Sequence, residues 1–225
     1  GICYMPGTIE TLFEENEEKT LKRASNTLKM GHHSVFDHVS FNLALSNIPK
    51  ILAMILNNEG MYTTSEKSAR YTKMQVSERE SSLYEKWIKI FSEQIEKKYP
   101  EIIEKQRIKL AQENARYLVS VFTPSTIMEY TVSFRQLNYI ASFFENYIKN
   151  EENTEFNKLL KPYLKEFNEQ IKDLLVPELN ANTKQRKISL FASRNYMEEF
   201  GECYSCNYEG TFAELAQAQR HRTLR

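Results

Sequence analysis

One short stretch of this chain alternates while the other periodic stretches repeat at the helical interval, and that contrast limits the fold more than anything else in the sequence. Val39, Phe41, Leu43 and Leu45 fall on one face, and Ser40, Asn42, Ala44 and Ser46 on the other. That is the period-two pattern of a strand with one face on a core. Ahead of it, Leu21, Ala24, Leu28 and Met30 mark a helix over residues 17 to 30, with Gly31 as its stop. Behind it, Ile48, Ile51, Leu52, Ile55 and Leu56 form a single buried helical stripe, and Pro49 suits that helix's first turn. Two longer amphipathic helices supply the apolar heart. The first carries Phe134, Leu137, Ile140, Ala141, Phe144 and Ile148; the second carries Phe156, Leu159, Leu160, Tyr163, Phe167, Ile171 and Leu174. The expected class is α+β, a mixed helix-and-sheet fold rich in helix.

The remaining segments fill in around these. The polar box His32 to His38 reads as a loop, and residues 58 to 65 as a break made by Asn58, Gly60 and two threonines. A helix is expected from about Ser82 to Lys98, and Pro100 separates it from another that runs to about Asn114. Residues 116 to 122 have strand composition and end in a Thr-Pro-Ser turn. After Pro177 the composition changes to Asn, Thr, Lys and Arg; a strand is expected at Ile188 to Ala192 and a helix from Phe212 to Arg225.

A chain of 225 residues is long enough for one substantial core, or for one domain and part of another. The second is expected here, because the chain begins at Gly1 without a Met and stops at Arg225 inside a helical pattern. No apolar run approaches the roughly 20 residues of a membrane span, and no signal peptide is recognisable. Thirty basic residues balance thirty acidic ones, which argues against a dedicated nucleic-acid binder. Cys3, Cys203 and Cys206 are too few for a disulfide framework, so a reducing, cytoplasmic setting is expected.

Three local clusters carry candidate chemistry. Ser65-Glu66-Lys67-Ser68-Ala69-Arg70-Tyr71 packs a carboxylate, hydroxyls, a guanidinium and a phenol into one short run, the donors a phosphate dianion needs to offset its desolvation. Read alone, it is also a solvated helix start with a Ser cap and a Glu-to-Arg pair. Gly31-His32-His33-Ser34-Val35-Phe36-Asp37-His38 holds three histidines, but no further ligand stands at a familiar metal spacing. Cys203-Tyr204-Ser205-Cys206 is half of a metal or redox motif and reads as structural. No metal site is expected.

The order of these parts resembles the flavin-dependent thymidylate synthases, whose signature R-H-R-x-x-S-x-N-E-x-S-x-R-Y follows a G-H-x-x-x-F-E-H box. Glu66, Ser68, Arg70 and Tyr71 match it, whereas the R-H-R triplet falls on Asn58-Glu59-Gly60, the serine on Thr63 and the asparagine on Ser65. Upstream, His32, Ser34 and the Asp37-His38 pair match the box. Ala115-Arg116-Tyr117-Leu118-Val119 resembles A-R-x-V-L, and Thr131-Val132-Ser133-Phe134-Arg135 resembles T-V-N-A-R. A further family arginine falls on Phe144, which reads as core. Gln217-Ala218-Gln219-Arg220-His221-Arg222 resembles the Q-x-x-R-H-R that is missing at residue 58; without the family it reads as a basic helix end.

What the resemblance implies is specific. The fold would be of the flavin-dependent thymidylate synthase type, and the activity methylation of dUMP to dTMP with methylenetetrahydrofolate and NADPH-reduced FAD. The cofactor does the difficult chemistry, so no protein nucleophile is needed and no catalytic residue is assigned. Cofactor contacts would be His32, Ser34, Asp37, Ser133, Arg135, Arg220, His221 and Arg222. Substrate contacts would be Glu66, Ser68, Ala69, Arg70, Arg116 and Gln217. Residues 1 to 177 would form a degenerate synthase-like repeat, with 178 to 225 starting a second. The assembly would be a homo-oligomer, a tetramer or a two-repeat dimer, with no nucleic acid and no membrane. The alternative is a non-catalytic repeat that serves assembly of a larger protein.

Overall fold

The computed structural model describes residues 8–69, 71–74, 76–181, 187–192 and 209–221. A short helix α1 (Glu10–Phe13) precedes α2 (Glu17–Lys29). The Asn16 side chain caps α2 by accepting from the Lys19 N–H at 3.0 Å, and Glu17 and Glu18 sit in its first turn. Gly31 follows at φ +76°, the left-handed geometry that ends a helix. The box His33–His38 then forms a 3-10 turn, more ordered than the loop expected from its polarity.

Strand β1 (Ser40–Pro49) leads directly into α3 (Lys50–Leu56), and β2 (Tyr62–Glu66) follows. A helical hairpin, α4 (Glu78–Lys98) and α5 (Glu104–Ala115), separates these from β3 (Pro124–Ser133). Next come α6 (Phe134–Asn150), α7 (Glu155–Gln170), the short α8 (Pro177–Ala181) and α9 (Phe212–His221). The fold is α+β, helix-rich around a three-stranded antiparallel sheet of order β1-β3-β2. No helix among the described residues is long and apolar enough to cross a membrane.

The central strand organises the core. Met128, Tyr130 and Val132 of β3 are buried, paired to Leu45, Leu43 and Phe41 on one side and to Glu66, Thr64 and Tyr62 on the other. Against them pack α3, every residue of which from Ile51 to Leu56 is buried, and the inner faces of α6 and α7. Phe144 is fully buried and meets Phe167 edge-on with ring centres 5.5 Å apart. The Tyr130 hydroxyl donates to the Leu56 carbonyl at 3.0 Å, which satisfies that inward-facing polar atom. On β1, Phe41, Leu43 and Leu45 pack against this core as their alternation demands, and Phe41 meets Phe134 at 5.6 Å.

Several sequence expectations are corrected. Val39 is exposed and precedes the strand, and Ile48 belongs to β1 beyond a register shift at Asn47, whose φ is +55°. The break at 58 to 65 contains β2, whose inward residues are Tyr62, Thr64 and Glu66; their polarity hid the strand. Residues 116 to 122 are not a strand: Arg116–Leu118 form a 3-10 turn that extends α5, and the strand begins at Pro124. Pro124 lies at the end of the ladder opposite Pro49, where its missing N–H costs no interior bond.

The expected strand at Ile188 to Ala192 is a 3-10 turn, Ser189–Phe191. Its cause is Glu59. That carboxylate is 1% exposed and accepts from the Ser189 N–H at 2.6 Å and the Ser189 hydroxyl at 3.2 Å. A carboxylate at the start of a helical turn satisfies donors that the turn itself leaves open. Phe191 then packs on Tyr147 and Phe156.

Candidate functional site

Two groups of polar residues stand at the two ends of β3. At its beginning, a cavity of about 500 Å³ opens between the end of β2, the turn at Ser68 to Met74, the segment Arg116 to Val121, and the start of α9. Glu66, Ser68, Ala69 and Arg116, nominated from the sequence as substrate contacts, all line it. Three local devices bring them there. Glu66 is the last residue of β2, and the ladder carries on one residue further through the bond from Lys67 N–H to the Ile127 carbonyl at 3.0 Å. Ser68 and Ala69 begin a turn closed by bonds from the Tyr71 and Thr72 N–H groups to the Ser68 carbonyl, both 3.1 Å. Arg116 caps α5, and its guanidinium lies 5.3 Å from the ring centre of Tyr117.

The electrostatics of the cavity are mixed by design of its neighbours. Lys50 donates to both oxygens of Glu66 at 2.7 Å, and the Thr126 hydroxyl donates to one of them at 2.9 Å. Lys73 is paired with Glu85 at 2.7 Å, and Arg116 lies 3.6 Å from Glu113. The Arg116 Nε is buried and makes no hydrogen bond among the described residues. Such a donor is costly to leave unmade and marks capacity for an acceptor. Glu80 fixes the far wall, accepting from the Ser120 N–H at 3.1 Å and from the Thr123 hydroxyl at 2.7 Å. Burial raises the Glu80 pKa, but bonds from Thr123, Ser77 and the Ser120 N–H outweigh it and hold the carboxyl below its ordinary 4.5. Burial also raises the phenol of Tyr84, which stands behind Lys73 and Arg116.

At the other end of β3, Asp37 of the 3-10 turn accepts from the Ser133 hydroxyl at 2.7 Å and pairs with Arg135 at 2.5 Å. Ser133 also accepts from the Gln136 N–H at 3.2 Å and so starts α6. His32 and Ser34 are exposed on the same turn, while the middle histidine, His33, is buried with an Nε2 that makes no hydrogen bond among the described residues. The sequence-nominated cofactor contacts His32, Ser34, Asp37, Ser133 and Arg135 therefore share one end of the fold. Thr126 and Ser133 are seven strand residues apart, which at ~3.3 Å per residue separates the two groups by about 23 Å.

Arg70 and Arg222 lie outside the described residues, as do Cys203 and Cys206. Gln217, Arg220 and His221 belong to α9, but their side chains are outside the described set. What sequence reasoning missed is Lys50, Lys73 and Thr126 around Glu66 and Arg116, and the wall formed by Gly210, Thr211, Phe212, Ala213 and Ala216. Lys50 left one signal, a cation in the first turn of a helix, where the dipole disfavours it.

The sequence pattern of the thymidylate synthase complementing protein family matches residues 1–171, three-quarters of the chain. The chain belongs to this family. It is also similar to a protein of Clostridium tetani (strain Massachusetts / E88) described as a flavin-dependent thymidylate synthase, with 31% identity over 74 residues. That alignment spans 32% of this chain and 30% of the relative. The family match takes in both polar groups, whereas the α9 wall of the cavity lies beyond it.

A family cofactor has to be tested against these residues. Flavin carries phosphates, which call for cations with open donors. At the positions where the family triplet aligns, the described chain offers a buried carboxylate, Glu59, already committed to Ser189. Arg135 is committed to Asp37. The described residues do not fit a self-contained flavin-phosphate site.

Proposed function

We propose that this chain supplies the nucleotide side of a flavin-dependent thymidylate synthase, with the cavity at the start of β3 as the place for dUMP. The observation that carries the reading is that one short run, with Glu66, Ser68 and Ala69, meets Arg116 from a distant segment of the chain at a single cavity. Its volume falls within the roughly 300 to 1,000 Å³ of small-ligand sites. Arg116, with its buried Nε, and Lys67 provide positive charge for a phosphate, Ser68, Thr72 and Ser120 provide hydroxyls, and Met74, Val119 and Val121 provide an apolar wall that keeps water out.

In this reading the reaction is that of the family, methylation of dUMP to dTMP with methylenetetrahydrofolate and NADPH as co-substrates of FAD. Because residues 58 to 60 offer no open cation, the flavin phosphates would be held by Arg220, His221 and Arg222 of a second repeat beginning after residue 177, or across a homo-oligomer. The setting is cytoplasmic.

A rival reading, a non-catalytic repeat that serves assembly, draws on Glu59 and Phe144. Glu59 stands where the family carries a histidine and Phe144 where it carries an arginine, and both are buried. Titration calorimetry with dUMP separates the two. Arg116→Ala removes a charged donor worth about 1.5 to 3 kcal/mol, so dUMP affinity is expected to fall about ten- to 150-fold. No binding of dUMP to the parent, or equal binding by the variant, would overturn the nucleotide reading. Visible absorbance from bound flavin in the purified protein would dismiss the rival.

A further inference from the structure

Lys50 opens α3 at the positive end of its helix dipole, a place that favours an acidic residue. Its local environment therefore gives no reason for a lysine there. What it does is reach sixteen residues along the chain to Glu66 and donate to both carboxylate oxygens at 2.7 Å. Thr126, itself buried, donates to Oε1 of the same carboxylate at 2.9 Å. The side chains of Glu66 and Lys50 are 13% and 31% exposed, and both line the cavity. An ionised carboxylate accepts about four hydrogen bonds. Three are made by described residues, and they hold both oxygens in one orientation at the cavity floor.

We infer that Lys50 is a positioning residue of the nucleotide cavity: it cancels the charge of Glu66 and fixes its carboxylate, so that an anionic ligand can enter a cavity whose floor carries an acid. This rests on the reading of that cavity as a nucleotide site. The physical reason is repulsion. A phosphate dianion drawn to Arg116 shares a partly desolvated space with Glu66, and in such a space like charges are screened far less than in water. Paired to Lys50, the carboxylate adds no net charge to the floor, and its oxygens are held in one orientation toward the ligand.

The pairing distinguishes this role from direct phosphate binding by Lys50. If Lys50 acts by neutralising Glu66, removing the Glu66 charge as well should recover much of the affinity lost with Lys50, whereas a direct phosphate ligand would be lost in either case. Titration calorimetry at neutral pH compares the parent, Lys50→Met and the double variant Lys50→Met/Glu66→Gln. The single variant should bind dUMP at least about tenfold more weakly, with uncharged deoxyuridine affected less than about twofold. The double variant should bind dUMP at least about threefold more tightly than the single one.

An unchanged single variant would overturn the inference, as would a double variant as weak as the single one. A defect in fold alone would weaken dUMP and deoxyuridine alike, which also counts against it. Should Lys50→Met fail to fold, Glu66→Gln alone is read instead: it leaves Lys50 uncompensated in the floor, and dUMP should bind more tightly, with equal or weaker binding refuting the role. If the parent binds no dUMP, the nucleotide reading fails first. The same proteins are then compared with inorganic pyrophosphate, and equal affinities across the set would remove Lys50 from any part in anion entry.

Discussion

Writing the family's Arg-His-Arg into positions 58 to 60 should damage this protein and leave it without a flavin site. Glu59 is 1% exposed, and its carboxylate accepts the Ser189 N–H at 2.6 Å. Removing a charged acceptor from a buried donor costs about 1.5 to 3 kcal/mol. Gly60 has φ +101°, and a Cβ there would stand 3.3 Å from Nε2 of Gln136, the same amide that donates to the Glu59 carbonyl. A non-glycine residue held in that backbone region costs about 1 to 3 kcal/mol more. The sum, about 2.5 to 6 kcal/mol, is a large part of the roughly 5 to 15 kcal/mol that a domain has in total. At ~2 to 4 °C per kcal/mol for a chain of this size, the melting temperature should fall by about 5 to 24 °C. Differential scanning calorimetry of the triple variant Asn58→Arg/Glu59→His/Gly60→Arg measures this, and flavin fluorescence titration measures the gain of function. A variant that melts within about 2 °C of the parent and takes up flavin would refute the argument that these positions are committed to the fold.

Two further outcomes follow from single side chains. Phe144→Ala removes a fully buried ring packed on Phe167 and should cost about 3 to 5 kcal/mol in urea denaturation; a loss under about 1 kcal/mol would mean the α6–α7 interface is not the core it appears from packing. Glu80→Gln should destabilise the parent at neutral pH but not in acid. Its folded-state pKa lies below the ordinary 4.5, so its contribution is present above that value and disappears as pH falls through the lower folded value. The stability gap between parent and variant should therefore narrow as pH falls below 4.5, and a gap that persists unchanged in acid would show that the carboxylate's charge is not what holds Ser120 and Thr123.

The sequence told most where the cause of structure is local. Strand β1 was legible because its two faces separate cleanly, and α6 and α7 because their apolar stripes repeat over several turns. Strand β3, the centre of the sheet, was not. Its buried Met128, Tyr130 and Val132 alternate, but Ile127 beside them is apolar and 45% exposed, which blurs the period, and Pro124 at its start mimics a turn. Strand β2 was hidden by polar inward residues that a central partner makes tolerable. The same division holds for the candidate site. Glu66, Ser68 and Arg116 were reached through short motifs, whereas Lys50 and Thr126 act on Glu66 across sixteen and sixty residues. Pairing at that range leaves, at most, a misplaced charge such as Lys50 in a first helical turn.

The strand order also sets when this protein can acquire its tertiary structure. Neither β1 nor β2 pairs with the other; both wait for β3, and Ser40 meets Ser133 while Glu66 meets Met128. During synthesis the sheet has no partner for either early strand until the chain has grown past residue 133. The α4–α5 hairpin lies wholly inside that interval and packs chiefly on itself, so local contacts can form it while the strands wait and draw the distant partners nearer. Until then α3, with its run of residues destined for the core, stands uncovered between two open strand edges. A nascent chain paused in this interval is the species most exposed to misassociation, and the polar outward face of β1 is its protection against pairing with a neighbour.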